Sequence, residues 1–125
     1  MAKQQHFELL KTLDGHTDAV WGSCTSSKGD QLYTASWDGT IKSWDIITGE
    51  ETQSCVGHKG KVFCVAAGDA MQGSILVSGG EDRSIRSWNM VDGTCEGTMD
   101  DAHDGSVVSL TAFLLFYSVF ILLIF

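Results

Sequence analysis

Positive charge is sparse in this sequence. Eight Lys and Arg stand against sixteen Asp and Glu, which leaves a formal charge of −8. The basic residues are scattered singly, and Lys59 with Lys61 makes only a weak local patch. Nucleic-acid binding needs clustered Lys and Arg to meet phosphates, so a nucleic-acid partner is not expected. The charge reads instead as a solvated acidic surface.

Other signals are missing as well. The N-terminus, MAKQQHFELLKTLDGH, lacks the apolar stretch of a secretory signal. Cys24, Cys55, Cys64 and Cys95 form no Cys-x-x-Cys pair and have no metal-ligand spacing with the four histidines. They are expected as free cytosolic thiols, half of them filling strand cores, and neither a metal nor a cofactor is expected. Helix-period segments are absent until the last nineteen residues.

What the chain does have is a repeat. Leu13–Thr52 aligns with Cys55–Thr94. Gly15-His16 matches Gly57-His58 at a step of 42, while Thr34, Asp38, Ile41, Trp44 and Gly49 match Ser78, Asp82, Ile85, Trp88 and Gly93 at 44. The two extra residues fall in the loop DAMQGS. Within the first unit, AVWGSCT, QLYTAS and TIKSWDI are short runs rich in β-branched and aromatic residues. Asp38-Gly39 between two of them predicts a tight hairpin, because Gly tolerates positive φ. A fourth, more polar strand is expected around Glu51–Val56. Each unit is then a four-stranded antiparallel sheet.

A period in the low forties, with Gly-His near its start and Trp-Asp near its end, is the mark of a propeller blade. The chain resembles the WD40-repeat family over about residues 6 to 113. Trp88-Asn89 departs from the closing Trp-Asp of the first unit, Trp44-Asp45. The resemblance implies two structural hydrogen-bond tetrads: His16, Thr34, Asp38 and Trp44, then His58, Ser78, Asp82 and Trp88. The chemistry is coherent. An indole N–H only donates, a hydroxyl accepts and donates onward, and a neutral His passes the chain to a carboxylate. Ser36 is the rival hydroxyl, but its counterpart is Gly80, which favours Thr34 and Ser78. The same residue types invite comparison with a hydrolase triad. They recur in both units without an oxyanion-hole motif or nucleophile elbow, which argues for structure rather than catalysis.

The resemblance also implies partner contacts on one face of the disc, at residues before the turn Asp and after Gly-His. Asp18, Trp21, Trp37, Glu81 and Arg83 are the candidates. Trp37 is either an exposed interface anchor or packed on the neighbouring unit's loop. Arg83 could meet an acidic peptide, or lie on a solvated strand face.

A third unit begins at DDAHDGSVVSLTAF, with His103 a step of 45 after His58, and then departs from the pattern. Fourteen of the nineteen residues from Val107 to Phe125 are Val, Leu, Ile or Phe. As a helix this run would span about 28 Å, just enough for a bilayer core. No Lys or Arg flanks it, and its first seven residues still follow the blade pattern.

The expectation is therefore an all-β chain: WD40 blades of an incomplete, open propeller, with a hydrophobic C-terminal segment that is helical. The repeats would occupy residues 1–106 (about 13–54 and 55–99, the third beginning near 100), and residues 107–125 would be a candidate transmembrane helix. A strand at His6–Leu13 would be left without its blade. By resemblance the function is that of a non-enzymatic protein–protein interaction scaffold, in a truncated or alternative product of a longer propeller protein. The alternative is a small tail-anchored membrane protein, inserted through residues 107–125 with its WD40-like region in the cytosol. Localisation is cytoplasmic in the first reading and membrane-associated in the second.

Overall fold

The computed structural model describes residues 8–70, 73–115 and 118–123. Each β-branched and aromatic run becomes a strand: β1 Val20–Thr25, β2 Gln31–Ser36, β3 Thr40–Asp45 and β4 Glu51–Val56. The second unit repeats them as β5 Val62–Ala70, β6 Gly73–Gly80, β7 Ile85–Asn89 and β8 Cys95–Met99. Both units are four-stranded antiparallel sheets in simple sequence order. Even their irregularities repeat. The register shifts between Val20 and Gly22 and again between Val62 and Cys64; it shifts between Ser43 and Trp44 and again between Ser87 and Trp88. A bulge re-aims the residue it leaves out of the pairing. That residue is Trp21 in the first sheet and Phe63 in the second.

The tight β2–β3 turn carries Gly39 at φ 88°, and Arg83 takes the matching place in the β6–β7 turn at φ 62°. The turn closing β3 is held by Asp45, whose Oδ1 accepts the N–H groups of Ile47 and Thr48, both at 2.8 Å. Asn89 offers the same oxygen to Val91 N–H at 2.8 Å, so its amide can replace the carboxylate.

The sheets stack face to face. Tyr33, Ala35, Ile41 and Cys55 of the first pack on Val62, Val65, Leu76 and Trp88 of the second. β1 and β5 come so close that a Cβ on Gly22 would lie 2.7 Å from the Phe63 carbonyl oxygen. A second core, on the far face of the second sheet, joins Cys64, Ala66, Val77 and Ile85 to Val107 and Leu110. A groove of about 640 Å³ at the first sheet is lined by Leu9, Leu10, Leu13, Leu32, Ile46 and Ile47 among others. Among the described residues the sheets do not close into a ring.

Two expectations are corrected here. The hydrophobic segment is not helical where it is described: β9 (Leu110–Leu115) and β10 (Ser118–Leu123) form an antiparallel hairpin pairing Leu115 with Ser118 and Leu110 with Leu123. β9 packs against β5 as the start of a third unit. A run rich in Val, Ile and Phe suits a sheet that has a neighbouring strand and a core to join. No helix among the described residues is long and apolar enough to cross a membrane. The second correction concerns His6–Leu13. Its first two residues lie outside the described region, and residues 8–13 form no strand. They run beside the turn after β3, where Lys11 Nζ donates to the Ile47 carbonyl at 2.6 Å. A lone strand needs a sheet edge to pair with, and this segment instead follows a turn.

Candidate functional site

Two kinds of polar cluster emerge from the repeat, and they differ in burial. In the first sheet Trp44 is 2% exposed, and its Nε1 donates to Thr34 Oγ1 at 2.8 Å. His16 Nε2 lies 2.8 Å from the same hydroxyl, and His16 Nδ1 lies 2.7 Å from Asp38 Oδ2. Donors and acceptors balance if Thr34 donates to Nε2 and a neutral His16 donates from Nδ1 to the carboxylate. Asp38 also accepts the N–H groups of Thr17 at 3.1 Å and Thr40 at 2.9 Å, and the Thr40 hydroxyl at 2.7 Å.

The second sheet holds the same network. Trp88 Nε1 donates to Ser78 Oγ at 2.8 Å, His58 Nε2 lies 2.7 Å from Ser78 Oγ, and His58 Nδ1 lies 3.0 Å from both oxygens of Asp82. Asp82 further accepts Lys59 N–H at 2.9 Å and the Ser84 hydroxyl at 2.8 Å. All eight tetrad candidates are thus brought together, four by four. Thr40 and Ser84 are the members that sequence reasoning missed. Their signal was available: a hydroxyl residue two places after each turn Asp, again at a step of 44. Ser36 stands outside the network, donating to the Asp18 carbonyl at 3.2 Å.

These surroundings shift the titrations. Burial works against ionising Asp38, but hydrogen bonds from Thr40, His16 and Thr17 outweigh it and hold the carboxyl at about 2. Asp82 is likewise held at about 2, with Lys59, His58 and Ser84 overcoming burial. Burial lowers His58, and the neighbouring Asp82 only partly offsets it. Burial also pushes the Cys55 thiol up to about 11 and Cys64 to about 12, the wrong direction for nucleophiles.

The second cluster lies where the β2–β3 and β6–β7 turns meet the starts of β1 and β5; we refer to it as the turn-end face. The bulged Trp21 is 61% exposed there and stacks on half-buried Trp37, with ring centroids 5.2 Å apart and planes 25° apart. Lys61, from the second unit, holds its Nζ 4.2 Å from the centre of the Trp37 ring. Trp37 Nε1 is buried and finds no acceptor among the described residues, in contrast to Trp44 and Trp88. Glu81 is exposed, and its Oε2 accepts Lys61 N–H at 3.2 Å. Asp18 is exposed, and its Oδ1 accepts Ala19 N–H at 2.7 Å. Arg83 is drawn away from this group into an ion pair with Asp101 at 2.5 Å.

Stacked four-stranded sheets, each tied by the same buried network, define a protein of propeller-type blades. The family model described as "WD domain, G-beta repeat" matches residues 7–45 and 49–89, and the chain belongs to the WD40-repeat family. It is 34% identical over 92 residues to nuclear distribution protein PAC1-2 of Uncinocarpus reesii, covering 67% of this chain and 20% of that protein. It is 32% identical over 104 residues to protein transport protein SEC13 of Chaetomium thermophilum, covering 82% of this chain and 34% of that one. Mitochondrial division protein 1 of Mycosarcoma maydis is 33% identical over 91 residues, covering 69% of this chain and 11% of that protein. The chain therefore spans about a third or less of the length of these curated relatives. WD40 repeats generally act as non-enzymatic platforms for protein–protein contacts.

Proposed function

We propose that this chain is a non-enzymatic interaction module whose partner proteins dock on the turn-end face. The observation that carries the reading is the exposed Trp21 stacked on Trp37. A large rigid aromatic at the edge of solvent is the kind of residue that anchors interfaces at low entropic cost. Asp18 and Glu81 supply exposed polar groups around it. The tetrads serve the scaffold. Their hydroxyls are buried at Thr34 and Ser78 and saturated by an indole and an imidazole, which leaves no room for a substrate. The relatives' names span nuclear distribution, protein transport and mitochondrial division, so the partner's identity does not transfer from them.

The test is quantitative affinity capture with the full chain and with Trp21→Ala, checking that both have the same thermal midpoint. The expected result is a defined set of proteins lost from the variant. An identical set for both chains would contradict the proposal.

A further inference from the structure

The stack at the turn-end face is built on Trp37. Trp21 stacks on its ring, and the Lys61 ammonium sits over that ring at 4.2 Å. One ring face of Trp21 remains open, consistent with the side chain's 61% exposure. The molecule already shows what this aromatic surface attracts, since the negative face of an indole draws a cation. Lys61 fills that role at the Trp37 ring, and none of the described residues fills it at the Trp21 ring.

We propose that the open face of Trp21 receives an arginine side chain from a basic segment of a partner protein. This rests on the reading of the turn-end face as the docking surface. Three features select arginine. The chain carries a formal charge of −8, so its long-range field favours basic segments over acidic ones. Asp18, three residues before Trp21 in the segment leading into the same strand, adds an exposed carboxylate at this end. A guanidinium is planar and weakly hydrated, so it lies flat on an indole at less desolvation cost than a lysine ammonium. The positive groups at this end do not oppose it equally. Lys61 is engaged by the Trp37 ring, and Arg83 is paired with Asp101, which leaves Lys59 as the exposed cation.

The probe is a short Gly/Ser peptide with two arginines, compared by calorimetry on the full chain with the same peptide carrying citrulline, its uncharged near-isostere. The arginine peptide is expected to bind at least about fivefold more tightly. Trp21→Ala should abolish that preference and Trp21→Phe should keep part of it. Asp18→Asn should weaken binding and flatten its salt dependence. Equal binding of the two peptides, no binding of the arginine peptide, or binding unchanged in Trp21→Ala would overturn the inference. If either of the first two results came with normal capture of partner proteins that still depends on Trp21, only the arginine preference would fall. Partner capture that is the same in the full chain and in Trp21→Ala would remove the docking reading itself.

Discussion

The tetrad residues are individually ordinary and gain their effect from mutual satisfaction. A buried indole, hydroxyl, imidazole and carboxylate stabilise a sheet only if every donor finds an acceptor, because low polarity raises the cost of each orphan. Trp44→Phe keeps most of the apolar volume and removes one donor, leaving Thr34 with an idle lone pair. It should cost about 1–3 kcal/mol, whereas Trp44→Ala, which also empties a large site, should cost about 3–5 kcal/mol. Chemical denaturation of the full chain measures both, and equal losses would mean that the lost hydrogen bond alone matters and the emptied volume does not. The titrations give a second prediction. His58 is lowered, so its contribution is complete above the ordinary histidine value near 6.5 and declines as pH falls below it. Asp38 and Asp82 are lowered from 3.8 to about 2, so theirs is complete above 3.8 and declines toward about 2. The thermal midpoint should therefore sag below about pH 6.5 and fall steeply below about pH 4. A midpoint that stays flat from pH 7 to 3 would contradict this picture. Most of this network was legible in the sequence, since His recurs at a step of 42 and the other three members at 44. The Trp21–Trp37–Lys61 stack was not. It depends on a bulge and on the approach of a second sheet, neither of which a residue pattern specifies.

At the scale of elements, the strands fall where β-branched and aromatic runs predict them, with Gln31–Ser36 and Glu51–Val56 matching residue for residue. The Asp-Gly hairpin was readable because its φ is dictated by Gly39; the same turn in the second sheet accepts Arg83 at φ 62° and was readable only by alignment with the first. The C-terminal run was misread as helical. Periodicity cannot distinguish a buried strand from a buried helix in an unbroken apolar run, and length argued for a helix. What decides is the neighbour. Val107 lies so close to Gly79 that a Cβ there would collide with it, and Leu110 joins Cys64, Ala66, Val77 and Ile85. Val107→Asp should therefore destabilise the second sheet by about 2–4 kcal/mol, by losing an apolar contact and burying a charge. Hydrogen exchange should show amides of β5 and β6 opening faster while those of β1 do not. Unchanged protection in the variant would mean that the segment leading into β9 does not help hold the second sheet.

At the scale of the whole molecule, the repeat separates two jobs. Each blade seals a polar network beside an apolar core, and the turns at one end are open and carry the aromatic stack. Function by this account lies on the turn-end face, while the tetrads keep that face in register. Site-specific photocrosslinking in cells tests this most directly. A benzophenone amino acid is installed in the full chain at Lys59, exposed on the turn-end face with Trp21 intact, and separately at Glu96 on the exposed outer strand β8. The account predicts discrete protein adducts from position 59 and none from position 96. Adducts from position 96 with none from position 59 would contradict it.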